Sequence, residues 1–319
     1  MEQMQAVVFR STGGPEVLHV ETVRRPRPRP GEVLVRVHAA GVNPVDDVMR
    51  RSQAIGAILR AIRKPMIPGL DFAGTVVEVG RGVEDFREGD PVFGAVSTRL
   101  NGTYAEYVRV GEGQLARKPE RLSFREAAGV PVVGLTALQM IRDKAKVVPG
   151  DRVLVNGAAG GVGSFALQLA RTYGANVTAE CGPDHVQLMR DLGADAVLDY
   201  TRDDVHKAGR FDVIIDAVSK LPIDWIPDLL EPRGRYVSTL PRRELIQHAA
   251  THPFEVQKFS MVRFRPRRTD LEALARLLDD GRIRVVIDQV APLEAAPDVH
   301  RLLQQGHTAG KRILSMLPS

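Results

Sequence analysis

The sequence predicts a two-domain α/β protein, with a doubly wound parallel sheet inserted into a mainly antiparallel, barrel-like domain. Three observations carry this. Short period-two strands punctuated by Gly and Pro fill the first third of the chain. Strands alternate with helices from about Leu122, and mixed elements return after Phe264. The 319 residues suffice for about two cores. The expected boundaries are 1–121 plus 266–319 for the strand-rich domain and 122–265 for the βα domain.

The elements follow in order. Met1 to Phe9 reads as a first strand. The Arg/Pro alternation from Arg24 to Pro30 precludes regular helix and predicts an extended surface linker. Val33, Val35 and Val37 alternate with Arg36 and His38, the pattern of a half-buried strand. Thr75–Val79, Asp90–Gly94 and Tyr104–Val108 continue the series. Met49 to Lys64 is expected to roof a substrate pocket. Its Ile55, Ile58, Leu59 and Ile62 suit either a pocket lining or a helix's core stripe, and its Arg50, Arg51, Arg60, Arg63 and Lys64 a solvated face. Val153–Val155 is a continuous apolar strand. Val162–Tyr173 has helical spacing stopped by Gly174. Asn176–Glu180, a helix over Asp184–Leu192, and strands at Ala196–Leu198, Val213–Ile215 and Tyr236–Ser238 complete a parallel βα series. The tail reads as helix Leu271–Asp280, strand Val285–Val290, helix Glu294–Gln305 and strand Arg312–Met316.

Composition narrows the function classes. Hydrophobic residues at 44% and charged residues at 26% exclude a mainly disordered chain. No apolar run approaches the ~18 residues of a membrane span. The first nine residues lack the features of a secretion signal, so a cytoplasmic protein is expected. Lys+Arg 44 against Asp+Glu 39 leaves +5, scattered along the chain. A single cysteine, Cys181, excludes an intrachain disulfide and a multi-cysteine zinc site. The eight histidines form no HxxxH or HExxH pattern.

The most informative stretch is Asn156-Gly157-Ala158-Ala159-Gly160-Gly161-Val162-Gly163. It follows a buried strand and opens a helix, with Ala158, Gly160 and Gly163 spaced as A-x-G-x-x-G. Glycines there let backbone approach a pyrophosphate, and the new helix offers its unpaired N–H groups and positive dipole end. Dinucleotide binding is the predicted role, against the alternative of a purely structural turn. Glu180 lies 17 residues past Gly163, where an acid accepts from a ribose 2′-OH; a solvent-facing strand-end Glu is the alternative. With Asp184 it opposes a 2′-phosphate. Cys181 has no adjacent base and reads as an ordinary thiol.

Together these stretches resemble the zinc-independent, quinone oxidoreductase-like branch of the medium-chain dehydrogenase/reductase superfamily. The similarity runs nearly end to end. It includes Gly41-Val42-Asn43-Pro44-Val45-Asp46, Pro68-Gly69-Leu70-Asp71-Phe72-Ala73-Gly74, Gly129 to Leu138, Leu192-Gly193-Ala194-Asp195 with Asp199-Tyr200, and Gly306 to Lys311. The resemblance implies a Rossmann cofactor domain inserted into a GroES-like catalytic domain. It implies hydride transfer from NADPH or NADH to a quinone or an α,β-unsaturated carbonyl. Asn43 and Thr136 are then expected beside the nicotinamide, and Ala159, Gly160, Gly161 and Val162 at the pyrophosphate. Tyr200 and Cys181 are expected by the adenosine, Val218 by the ribose, and Lys311 on the phosphate side of the cleft. Asn43 is the oxyanion donor the sequence offers. Structural alternatives are a turn cap at Asn43, a back-bond at Thr136 and strand-end packing at Tyr200. The zinc branch's catalytic ligands are replaced by Asn43, Leu70 and, near the third position, Val130, so no zinc is expected. Family precedent favours NADPH, whereas Glu180 and Asp184 favour NADH; the direction of Arg202 is open. A small hydrophobic quinone or enone, a homodimer paired near Phe259 to Phe264, and no nucleic-acid or membrane partner complete the expectation. Two alternatives remain. One is an enoyl reductase of a biosynthetic pathway. The other is a non-catalytic NAD(P)H-binding protein acting on RNA or a protein through Arg263, Arg265, Arg267 and Arg268.

Overall fold

The Val33–Val37 alternation sets one strand face against the core, and that strand organises the first sheet. The structure is a computed structural model describing residues 2–62, 64–97, 102–240, 258–306 and 308–316. Arg63 and His307, and the side chains of Arg60 and Ile62, lie outside the described residues. The chain divides into two units. The first is Met1–Val132, Arg265–Gly281 and Val285–Ser319; the second is Val133–Phe264 and Arg282–Arg284.

In chain order, β1 (Gln3–Val8) and β2 (His19–Arg24) form an antiparallel ribbon with Gln3 opposite Arg24. Then come β3 (Glu32–Val42), α1 (Pro44–Arg51), α2 (Gln53–Ile62), β4 (Asp71–Val79), β5 (Pro91–Ala95), β6 (Tyr107–Gly111), β7 (Leu115–Arg117) and α3 (Phe124–Ala128). The expected strand at Tyr104–Val108 is displaced. Tyr104 and Ala105 are already paired to Val7 and Ala6 of β1, so pairing with β3 begins only at Tyr107. The expected boundary near Leu122 also moves. Ser123 and Glu126 cap α3, which packs on β3 and β4, so the first unit runs on to Val132.

The second unit continues α4 (Pro131–Leu138) through a π-helical turn, Gln139–Ala145. It then lays down β8 (Arg152–Asn156), α5 (Gly161–Thr172), β9 (Asn176–Cys181), α6 (Val186–Asp191), β10 (Ala196–Asp199), β11 (Phe211–Asp216), α7 (Ile226–Leu229), β12 (Leu230–Ser238) and β13 (Lys258–Met261). The helix expected from Asp184 opens as a tight turn at Pro183–His185 before α6. The sheet order is β10-β9-β8-β11-β12-β13, all parallel. Strand order reverses beside β8, and in such sheets ligands bind at the carboxyl ends of the strands at that switch.

The chain returns to the first unit with α8 (Arg268–Asp279), β14 (Ile287–Pro292), α9 (Ala296–Gln305) and β15 (Lys311–Ser315). Its main sheet runs β14-β15-β3-β4-β5-β7, with β6 also on β3. Phe9, Leu59, Met66, Tyr104 and Leu314 belong to one core cluster, and Val35, Phe72, Val92 and Leu115 to another. Leu154, Ile214, Leu230 and Tyr236 anchor the second unit. Ile55 and Leu59 are core, whereas Ile58 is exposed, so α2 divides its apolar stripe between the interior and the surface. Among the described residues no helix is long and apolar enough to cross a membrane.

Candidate active site

The glycine-rich turn lies where the strand order reverses. Gly157 takes φ +71°, a left-handed conformation that favours glycine, and leads β8 into α5. A Cβ at Gly163 would come within 2.2 Å of the Gly157 carbonyl oxygen and 2.7 Å of Ala158 Cα, so only glycine lets α5 start this close to the turn. Gly160 is different. A Cβ there would meet nothing nearer than the Gly157 oxygen at 3.5 Å, so the space in front of it is open. Ser164 N–H is the first to find its partner, on the Gly160 carbonyl at 2.9 Å. The amides of Gly161, Val162 and Gly163 precede it and form the anion-attracting first turn of a 12-residue helix. Open space and unspent amides fit a dinucleotide pyrophosphate.

The neighbouring predicted residues gather at the same carboxyl edge. Val218 is 42% exposed and lies over Gly157, its Cγ1 2.6 Å from where a Cβ would stand. Ser219 holds φ +54° behind it, bonded through Oγ to Thr239 Oγ1 at 3.0 Å and accepting from Leu240 N–H at 3.0 Å. Those bonds over-determine a strained backbone beside the groove. Tyr200, 54% exposed, places its hydroxyl by Gly182 and takes a backbone bond from its own N–H to the Cys181 carbonyl. Cys181 is buried, and burial, then Asp199 and Glu180, push its thiol up to about 11, so it offers no thiolate.

Glu180 does not share a sheet face with Cys181. It pairs across the sheet with Asn156, which in turn pairs with Asp216. It is only 8% exposed, and burial and then Asp216 raise its carboxyl pKa. Asp216 itself is satisfied by Asn156 Nδ2 at 2.8 Å, Tyr236 OH at 2.6 Å and Leu221 N–H at 3.1 Å. Asp184 is exposed. Arg202 is anchored through Nε on Asp199 Oδ2 at 2.8 Å, and its side chain is 73% exposed. Thr136 sits in α4, nearly buried.

The first unit holds a second constellation, buried throughout. Asn43 is the N-cap of α1, and its N–H donates to Asp46 Oδ2 at 2.9 Å, so the capping reading is part of its role. Its side chain is also committed. Nδ2 donates to Asp71 Oδ2 at 2.9 Å and to the Gly41 carbonyl at 3.4 Å, while Oδ1 accepts from Lys311. Both amide hydrogens of Asn43 thus have acceptors within the protein, with which the expected role of oxyanion donor competes. Lys311, expected on the phosphate side of the cleft, is likewise committed within this network. It is 3% exposed, and its Nζ donates to Val42 O at 2.9 Å, Asn43 Oδ1 at 2.6 Å and Asp71 Oδ2 at 3.0 Å, which uses all three N–H bonds. Asp71 Oδ1 accepts from Val132 N–H at 2.7 Å.

These positions do not fit zinc. Leu70 has no donor atom, the Asn43 amide is occupied, and Lys311 puts an ammonium against Asn43 and Asp71. Among the described residues no group of three or more His, Cys, Asp or Glu is arranged to hold a metal ion. Three members of the buried network, Asp46, Tyr104 and His300, escaped sequence reasoning as functional candidates. Only Asp46 carried a signal, as the last residue of the G-x-N-x-x-D stretch.

Comparison with known proteins finds two family matches and many related chains. Residues 29–120 match an alcohol dehydrogenase GroES-like domain, and residues 192–314 match a zinc-binding dehydrogenase domain. A chloroplast envelope quinone oxidoreductase homolog of Arabidopsis thaliana is 32% identical, over 98% of this chain and 98% of its own. An NADPH-dependent alkenal/one oxidoreductase of the same plant is 32% identical, over 99% of this chain and 81% of its own. The solved structure of a quinone oxidoreductase from Coxiella burnetii superposes with a TM-score of 0.89 at 31% identity, covering 99% of this chain and 100% of that one.

Proposed function

Because the chain belongs to the medium-chain dehydrogenase/reductase superfamily, with the quinone oxidoreductases, we propose that it reduces a small quinone or an α,β-unsaturated carbonyl with NAD(P)H. The open glycine turn at the switch of the parallel sheet carries the reading. When bound there, the nicotinamide supplies a hydride. Gly160, Gly161 and Val162, with Ala159 beside them, cradle the pyrophosphate; Val218 covers the adjoining ribose; Tyr200 flanks the adenosine; Thr136 serves the nicotinamide end.

The lean toward NADH rested on Glu180 and Asp184; the Glu180 carboxyl is buried on the face of Asn156 and Asp216, and Asp184 alone is exposed. Arg202 supports the other cofactor. Its Nε is fixed on Asp199 and its side chain is 73% exposed, so the rest of the guanidinium is open to a 2′-phosphate. Both cofactors are therefore used, with NADPH at least the equal of NADH. Steady-state oxidation of each cofactor against a panel of quinones and enones tests this. Turnover is expected with both. Arg202→Ala should lower kcat/KM for NADPH by about 10- to 100-fold, the worth of one charge-assisted bond, and leave NADH unchanged. An unchanged ratio removes Arg202 from the site, and no turnover with any acceptor overturns the assignment.

We further propose that the chain forms a homodimer paired through β13. Among the described residues this strand is hydrogen-bonded on one side only, to β12, with Met261 exposed. The strand ends at Met261, so Arg263 and Arg267 follow it as exposed extended chain, while Arg268 bonds Glu272 at 2.8 Å. Light scattering at micromolar concentration should give twice the chain mass; a monomer refutes the pairing.

A further inference from the structure

Ala217, Val218 and Ser219 follow β11, and Thr239 and Leu240 follow β12. Both loops leave the carboxyl edge of the parallel sheet, in the same unit as the glycine turn. Among the described residues twelve glycines take positive φ, and only Lys146 and Ser219 do so with a side chain. Lys146 ends the π-helical turn, a place where left-handed residues are usual. Ser219 ends no helix, yet at φ +54° it holds a conformation that glycine adopts freely and serine does not. What serine has there and glycine lacks is the hydroxyl.

One directed chain of hydrogen bonds crosses the two loops. Leu240 N–H donates to Ser219 Oγ at 3.0 Å, and Thr239 Oγ1 donates its hydrogen to the Ala217 carbonyl at 3.2 Å. The hydrogen between Ser219 Oγ and Thr239 Oγ1, 3.0 Å apart, is therefore the serine's. Both hydroxyl hydrogens are used, and the first loop is pinned to the second at Ala217 and again at Ser219. Ala217 N–H also donates to the Asn156 carbonyl at 3.1 Å, where β8 runs into the glycine turn. Val218 stands between the two pins. Its backbone is fixed on both sides while its side chain stays exposed over Gly157. The latch buries neither Val218 nor Leu240, which are both exposed. What it fixes is the wall of an open groove.

We propose that Ser219 is a positioning residue for the dinucleotide, latching the loop after β11 to the loop after β12 so that Val218 is held ready over the glycine turn. This rests on the reading that the glycine turn holds NAD(P)H. With the latch closed, Val218 already stands where the ribose beside the pyrophosphate arrives, and binding has no loop to order. With the hydroxyl removed, the loop after β11 is free of the loop after β12, and every binding event must order Val218 again. The loss falls chiefly on the dissociation rate, as it does for most changes within one binding site. Ser219 acts through Val218 and touches neither cofactor nor substrate.

Calorimetric titration of the full chain with NADPH and with NADH, beside stopped-flow displacement of the bound cofactor, tests the latch. Ser219→Gly accepts the same φ and removes only the hydroxyl. Both cofactors should then bind about ten-fold more weakly, the size expected for losing neutral hydrogen bonds, with the change in the dissociation rate. Thr239→Val breaks the middle of the chain at nearly constant shape and leaves the strained residue alone. It should show the same loss, and it decides the matter if Ser219→Gly fails to fold. Because Ser219 acts through Val218, adding Ser219→Gly to Val218→Ala should weaken binding no further than Val218→Ala alone, whereas a general loosening of the unit would add to it. Affinities within about two-fold of the wild type in a folded variant, or additive losses in the double variant, overturn the latch and leave the dinucleotide reading standing. A wild type that binds neither cofactor overturns that reading, and the latch with it.

Discussion

Lys311→Met should destabilise the first unit by about 3–5 kcal/mol, the usual result of removing one partner from a buried ion pair. The ammonium joins three elements through the Val42 carbonyl, the Asn43 amide oxygen and Asp71. Methionine keeps most of the volume but takes the ammonium away from all three acceptors, leaving Asp71 Oδ2 with the Asn43 amide alone. Asp71 is already pushed up by burial, with Lys311 foremost among the groups that oppose the rise. Without the lysine it takes up a proton instead of holding a lone buried charge. Urea unfolding of the variant measures the loss. Adding Asp71→Asn should recover part of it, because an amide is neutral without first having to take up a proton. A loss below ~1 kcal/mol would mean that water enters and replaces the ammonium.

Gly163 and Gly160 should separate folding from cofactor binding. In Gly163→Ala the new methyl runs into the Gly157 carbonyl and Ala158 Cα, both backbone, so the turn itself must shift. Overpacking of this kind costs about 1–3 kcal/mol, and cofactor affinity falls with it. Gly160→Ala meets no such wall, and φ −70° and ψ 173° suit any residue. Stability should stay within about 1 kcal/mol of the wild type. The methyl then occupies the space a pyrophosphate enters, and NADPH affinity should drop about 10- to 100-fold. Calorimetric binding beside thermal unfolding reads both quantities. Equal affinities in Gly160→Ala and wild type would place the phosphates elsewhere.

The parts legible in the sequence are those that leave a local period. The turn at Gly157 to Gly163 combines strand, loop and helix start within a dozen residues, and the structure keeps it at the reversal of strand order. Strand positions read well where one face is apolar, as at Val33 to Val37. The strand near Tyr104 read three residues early because alternation fixes which side chains share a face and not which neighbour they pair with; Ala105 pairs with Ala6. For the same reason period-two logic sets Glu180 and Cys181 on opposite faces but does not say which face meets the cofactor. The buried network left no such trace. Asp46 and Tyr104 are 58 positions apart, Tyr104 and His300 196, and Asn43 and Lys311 268. A lysine opening an apolar strand reads as a strand-end cation. Only the fold shows three acceptors converging on it.

The place of β15 in its sheet bears on how the protein is made. This strand lies between β14 and β3, so among the described strands it joins one made before the second unit to one made after it. The second unit is almost continuous in sequence, and among the described residues the last strand of its parallel sheet ends at Met261. The first unit has no such freedom. Its early strands must wait, with the edge of β3 that will receive β15 uncovered and Asn43 and Asp71 lacking their cation, through the whole synthesis of the intervening domain. Vectorial synthesis thus gives the cofactor fold a head start and leaves the N-terminal strands as the segment most in need of chaperone protection.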